Sequence, residues 1–329
     1  MKKLLIAALV PLFIVMTSPA GAADKVRIGY WTSGVSLGFG AVLEAERFLE
    51  KQGLDVEFTH FPDVNAQVLA LTSDSIDLSF GTPLAGVFSA AAQGIPVKLF
   101  AVTQPADAKF VVPADSPIQS LAEFKGKKIG SSPAGSSVAV IASTILARNY
   151  GITPADFTLV GGNEARLAQF LAQKQVDGSA LRSVTVLQVQ DELKLRVLGD
   201  FAEEWKKFAG TDAVPYVGSG AVTEKFISAR PDTVTKVILA LLAAERWGAA
   251  HPDEVTVILQ KAGLPEKDAR AFVKQWNRMY KLDFSPAVVD SLKLQHAEFV
   301  KAGAVKGGLN ADLFVTGPFG EAVRRQEKR

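Results

Sequence analysis

The 329-residue chain contains no cysteine. That absence removes disulfides, thiolate metal ligands and cysteine nucleophiles together, and with them the N-terminal lipidated cysteine of a lipoprotein. Histidine is scarce: His60, His251 and His296 are the three in the chain. None forms a His-x-x-x-His pair, and His296-Ala297-Glu298 lacks the cysteines that would complete a zinc deaminase site, so no metal site is predicted. Excess charge of one sign is missing too. There are 36 Lys and Arg against 34 Asp and Glu, and Lys2 and Lys3 stand in a 22-residue N-terminal stretch without acids, leaving 34 of each sign in the remainder. A formally neutral chain, with basic clusters confined to Lys125–Lys128 and the C-terminal tail, argues against nucleic acid or an anionic membrane as the main partner. Leu4–Val15, an apolar run of twelve residues, falls short of the roughly 20 that span a bilayer.

That run follows the positive Met1-Lys2-Lys3 and precedes the small-x-small Ala20-Gly21-Ala22. The three parts together predict that residues 1–22 are a cleaved secretory signal, that the mature chain starts near Ala23, and that a soluble product resides in the periplasm. With 48% hydrophobic and 21% charged residues there is ample material for a packed core.

Short β-branched runs alternate with helical runs through the first two thirds, the pattern of an α/β fold. Strands are predicted at Val26–Tyr30, Val56–Thr59, Ile76–Phe80, Val97–Val102, Phe110–Val112, Lys128–Gly130, Phe157–Val160, Gly178–Leu181 and Leu195–Leu198. Helices are predicted at Ala41–Gln52, Ile118–Phe124 and Ser137–Tyr150, with Tyr216–Gly220 read as a return crossover. From Pro231 the strands stop, and Pro231–Ala250, Pro252–Ala262, Pro265–Met279 and Ser285–Ala302 read as helices opening at or beside proline. One regularity exposes the architecture. Leu71 followed by Ile76-Asp77-Leu78-Ser79 recurs 100 residues later as Leu171 followed by Val176-Asp177-Gly178-Ser179, and Arg27-Ile28-Gly29 has its counterpart in Lys128-Ile129-Gly130. Two similar α/β lobes follow, with Thr82 and Arg182 at equivalent strand ends. Such sheets bind ligands beyond the carboxyl ends of their strands, so two facing lobes make a cleft.

The segments Phe61–Val102 and Leu121–Val160 resemble the periplasmic substrate-binding proteins of the taurine, alkanesulfonate and nitrate ABC importers, a likeness carried by Thr82-Pro83, Gly94-Ile95-Pro96, Phe124-Lys125-Gly126-Lys127-Lys128 and Val176-Asp177-Gly178. The resemblance implies a type II-like, two-lobed α/β receptor that closes on a hinge, works with a membrane permease and takes a small-molecule ligand. It also implies a discontinuous first lobe, residues 23–109 with 215–329, around a second lobe of 110–214. Where many members continue the second strand-end motif with an aromatic, a small residue and proline, this chain has Leu181-Arg182-Ser183-Val184, so the ligand is not carried over.

The candidate ligand contacts are strand-end residues. Trp31, Thr32 and Ser33 follow the first strand; Asn65 follows the second; Thr82 and Pro83 end the third and open a helix. Ser136 and Ser137 begin a helix whose N-terminus suits an anion, with simple capping as the other reading. Arg182 offers a fork for a carboxylate or sulfonate, against the alternatives of a solvent-facing arginine or a partner for an acid such as Asp77 or Asp191. A monomeric receptor without cofactor, binding a small organic anion, is the expected product. The alternatives are an input protein for a sensor and a periplasmic enzyme on the same scaffold. Gly34-Val35-Ser36-Leu37-Gly38 matches a nucleophile-elbow pattern, but Ser36 lies several residues past its strand. Pyrimidine-precursor synthases have a related fold, yet resemble cytosolic chains with a lysine-held cofactor.

Overall fold

The computed structural model describes residues 24–328; the expected signal peptide, residues 1–22, lies outside them. The chain opens with β1 (Asp24–Trp31), α1 (Gly34–Ala45), β2 (Leu54–Phe61), α2 (Ala66–Thr72), β3 (Leu78–Pro83), α3 (Leu84–Ala92) and β4 (Val97–Pro105). It crosses to β5 (Ala108–Pro113), β6 (Lys128–Ser131), α4 (Ser137–Tyr150), β7 (Thr158–Gly161), α5 (Glu164–Ala172), β8 (Gly178–Arg182), α6 (Ser183–Val189), β9 (Leu195–Asp200) and α7 (Phe201–Ala209). It then returns on β10 (Tyr216–Thr223) and ends in helices α8 (Glu224–Ala229), α9 (Pro231–Ala250), α10 (Pro252–Lys261), α11 (Glu266–Met279), α12 (Pro286–Lys301) and α13 (Gly317–Glu327). The fold is α/β and two-lobed, one five-stranded sheet per lobe.

The strand orders are β2-β1-β3-β10-β4 and β7-β6-β8-β5-β9. They are the same order twice, because each crossover lays one antiparallel strand between two others: β10 between β3 and β4, β5 between β8 and β9. The register repeats as well, Ile28 and Gly29 facing Leu78 and Ser79, Ile129 and Gly130 facing Gly178 and Ser179. Asp77 and Asp177 explain why this part of the sequence recurs. Asp77 Oδ2 accepts the Arg27 N–H at 2.8 Å, and Asp177 Oδ2 accepts the Lys128 N–H at 2.8 Å. Each carboxylate thus satisfies a backbone donor one residue before the parallel pairing of β1 with β3, or of β6 with β8, begins.

Four expectations change. The segment Tyr216–Gly220 belongs to a strand, not to the crossover, which runs just before it. Its glycines look like a turn, yet a Cβ at Gly220 would lie 2.5 Å from the Phe100 ring, so the bare backbone is what lets β10 pass over that side chain. The predicted helix Ala41–Gln52 instead starts at Gly34 and stops at Ala45, followed by a 3-10 turn at Glu50–Gln52. Gly40 lies under the Tyr30 ring, where a Cβ would come within 2.1 Å; glycines that lower helix propensity here permit close packing. Ile118–Phe124 shrinks to a 3-10 turn at Leu121–Phe124, and α13 was not foreseen. Helix α9 packs on α1 and α13, so the C-terminal helices cover the first sheet. Both sheets are buried among aromatics: Phe80, Phe88 and Phe100 in the first lobe, Phe110, Phe124 and Phe201 in the second.

Candidate functional site

The two crossovers touch: the Ala106 N–H donates to Pro215 O at 2.8 Å. Gln295, fully buried on α12, accepts from Tyr216 N at 2.9 Å and donates to Tyr216 O at 2.7 Å. This braced pair of strands carries the lobes, whose carboxyl strand ends face one another.

Between them lies a cavity of about 20 Å³, room for about one water. The first lobe contributes Trp31, Ser36, Val64, Gly81, Pro83, Gln104 and Val217; the second contributes Ser132, Ser136, Ser137, Val138 and Arg182. Several helices begin here. Ser36 lies in the first turn of α1, Pro83 caps α3, Ser136 caps α4 by accepting the Ala139 N–H at 3.4 Å, and Arg182 precedes α6. Helix N-termini present N–H groups and a partial positive charge.

Arg182 is 7% exposed. Its backbone N–H donates to Glu164 Oε2 at 3.2 Å, but among the described residues its guanidinium makes no hydrogen bond and no ion pair. The acids proposed as its partners are taken: Asp77 pairs with Arg27 at 2.6 Å and Asp191 with Lys267 at 3.2 Å. Nearby Asp107 accepts from the Ser183 hydroxyl at 2.7 Å and pairs with Arg278 at 3.2 Å. Burial pushes the Arg182 guanidinium below its ordinary value, opposed by the nearby carboxyl groups of Glu164 and Asp107. Burial also pushes the Glu164 carboxyl up, against the pull of Arg182. An arginine stays charged in such surroundings, so the cavity wall carries a positive charge that has no ion-pair partner among the described residues. Leaving a buried charge unpaired is costly, and such groups concentrate at functional sites.

The chain matches the model of the family described as NMT1/THI5 like over residues 42–255. The chain belongs to the NMT1/THI5-like family. Among curated proteins it is similar to a putative thiamine biosynthesis protein of Haemophilus influenzae, 26% identical over 245 residues, covering 73% of this chain and 74% of that one. Among solved structures it is similar to the alkanesulfonate-binding protein SsuA from Xanthomonas axonopodis pv. citri bound to MOPS, with TM-score 0.75, 20% identity, and coverage of 91% of this chain and 100% of that chain. It is also similar to the desulfurization enzyme DSZB, with TM-score 0.63, 14% identity, and coverage of 92% and 99%. At these identities the structural likeness establishes the two-lobed binding-protein fold, which this family member therefore shares with both receptors and an enzyme.

Of the residues singled out from sequence, Trp31, Pro83, Ser136, Ser137 and Arg182 are brought together on the cavity wall. Thr82 is not on it; it is fully buried in β3 with its hydroxyl unpaired. Thr32 is committed elsewhere, its hydroxyl donating to Phe61 O at 3.1 Å, and Ser33 precedes α1 without a side-chain cap. Asn65 spans the cleft mouth, donating to Ala134 O of the other lobe at 3.2 Å. Ser137 makes a second bridge, its hydroxyl accepting the Ala85 N–H at 3.1 Å. Two hydrogen bonds thus join the lobes across a nearly filled space.

Ser36 Oγ accepts from Gln104 Nε2 at 3.2 Å. Histidines lie elsewhere: His60 bonds Glu44, His251 bonds Trp247 O, and His296, its pKa pushed down by burial, packs edge-on against Phe88. Gln104 went unremarked in the sequence, although a lone amide closing the apolar run Val97–Val102 is a readable signal. A roomier cavity of about 540 Å³ lies at the other end of β1, but several of its charges are already paired, Arg27 with Asp77 and Lys225 with Asp74. No helix among the described residues is long and apolar enough to cross a membrane.

Proposed function

We propose that this family member is an extracytoplasmic, non-enzymatic solute-binding protein of an ABC importer, acting as a monomer that captures a small organic anion by closing its lobes and presents it to a membrane permease. The observation that carries the reading is the buried Arg182 guanidinium, without a counter-ion among the described residues, beside helix N-termini. A monoanion would supply the missing charge and accept from the fork, Ser136 and Ser137. Ligand entry requires the lobes to part, because the closed cavity holds about one water; the bridges from Asn65 and Ser137 are short enough in number for that motion to be modest in cost. An enzymatic reading built on Ser36 lacks a base, since its partner is an amide.

Thermal unfolding of the purified protein with sulfonates, carboxylates and nitrate, set against alkylammonium ions and neutral sugars, tests this. A ligand at a hundred times its Kd stabilises by about 2.7 kcal/mol, so an anion should raise Tm clearly. Stabilisation confined to cations or sugars defeats the reading, and small-angle scattering unchanged by a stabilising anion defeats hinge closure.

A further inference from the structure

The cavity holds one carboxamide, and its surroundings fix it in place. Gln104 is the next-to-last residue of β4, just before Pro105, and is 3% exposed. Its Nε2–H donates to Ser36 Oγ, itself 1% exposed. Two strands are bare where the amide lies. A Cβ on Gly218 would stand 2.6 Å from Gln104 Oε1, and one on Gly81 would stand 3.0 Å from Nε2 and 2.5 Å from Ser36 Oγ. The amide therefore fills space that these two glycines leave, anchored at one end by Ser36. With the nitrogen committed to Ser36, Oε1 has no donor among the described residues. Arg182 lines the same small cavity, which has room for about one water, so its charge and the amide share one confined space.

We infer that Gln104 Oε1 is a specificity contact, and that the ligand is an anion carrying an O–H or N–H donor beside its charged group, as against a plain alkyl anion. The inference rests on the anion reading of Arg182 given above and narrows it: Arg182 selects the charge, Gln104 selects the neighbouring donor, and Ser36 is a positioning residue that holds the amide. The physical reason is asymmetry. A ligand with a donor completes the amide, whereas a methyl in the same place leaves a buried acceptor desolvated and unpaired. That difference is worth about five- to more than a hundredfold in Kd.

Titration calorimetry with matched probes tests it on the full protein. 2-Hydroxyethanesulfonate is compared with propane-1-sulfonate, and hydroxyacetate with propanoate, each pair differing by hydroxyl against methyl. The hydroxyl twin should bind about five- to a hundredfold tighter in whichever pair the site accepts. In Gln104→Leu the twins should come within about twofold of each other. In Gly218→Ala, where the new Cβ displaces the flexible end of Gln104, the ratio should fall in the same direction, which keeps the test open if Gln104→Leu does not fold. Twins that bind equally in the wild type, a tighter methyl twin, or a ratio that survives Gln104→Leu each overturn the inference. Because a hydroxyl accepts as well as donates, methoxyacetate against butanoate is the control: these two should bind alike, and a methoxy probe favoured as the hydroxyl is would mean that the amide NH2 faces the cavity, which also overturns the inference. If none of the hydroxyl and methyl probes binds, the anion reading itself falls; if the twins of a pair bind equally and Arg182→Leu abolishes the binding of both, only the donor requirement falls.

Discussion

Arg182→Leu should change binding and stability in opposite directions. The Arg182 guanidinium is buried, no carboxylate among the described residues lies within ion-pair distance of it, and Glu164 reaches only the backbone N–H of Arg182. Removing a partnered buried charge costs about 3–5 kcal/mol, but here the charge itself is the unpaired group, and replacing such groups by apolar ones of similar volume is often neutral or stabilising by about 1–4 kcal/mol. Leucine should therefore leave the ligand-free protein as stable as before or raise its unfolding free energy by about 1–3 kcal/mol. Binding should move the other way. Charge-assisted hydrogen bonds contribute about 1.5–3 kcal/mol each, so loss of the fork should weaken the cognate anion tenfold to more than a hundredfold. Lysine should recover part of that, because an ammonium keeps the charge without the planar geometry. Urea unfolding without ligand and calorimetry with it give the two numbers. A variant that loses more than about 2 kcal/mol of stability while binding normally would place Arg182 in a structural network and refute the argument.

Two further predictions concern the scaffold. Burial pushes the Glu245 carboxyl, on α9, up to about 7 against a hydrogen bond from Leu282 N at 3.0 Å. Because the folded state then holds a proton that the unfolded state releases, stability is greatest below the unfolded value near 4.5 and falls as pH rises through about 7, by about 1–3 kcal/mol; Glu245→Gln should flatten that slope in urea titrations between pH 5 and pH 8, and an unchanged slope would count against it. Gly220→Ala should cost about 1–3 kcal/mol through overpacking, since its Cβ would meet the fully buried Phe100 at 2.5 Å; a variant as stable as wild type would mean that β10 does not run over Phe100.

What could be read from the sequence was what repeats or alternates. The strand runs of both lobes are period-two or continuous apolar segments, and the Asp77 and Asp177 copies marked the second lobe because each acid caps the same backbone donor. What stayed hidden was structure whose local signal points the wrong way. The Gly218-Ser219-Gly220 stretch has the composition of a turn, and its strand state is decided by Phe100 and Gln104 filling the places where side chains would be. The early start of α1 was hidden likewise by Gly38 and Gly40, residues that disfavour a helix until Tyr30, Phe272 and Tyr280 occupy the space above them.

The same duplication explains why the candidate site became asymmetric. Thr82 and Arg182 occupy equivalent positions, each paired with an antiparallel strand contributed by a crossover, Thr82 facing Ser219 and Arg182 facing Ala108. A threonine side chain is too short to reach the cavity from that position and remains buried with its hydroxyl unpaired, whereas an arginine reaches it. The first lobe then meets the cavity with its neighbours instead: Gly81, whose positive φ of 65° and missing Cβ admit Ser36 and Gln104, and Pro83, which caps α3. One lobe presents a charge on a long arm, and the other presents an amide clamped between glycines. Two copies of one fold have in this way come to face each other with unlike chemistry, which is what a receptor needs if it is to fix the orientation of a ligand that is charged at one atom group and polar at the next.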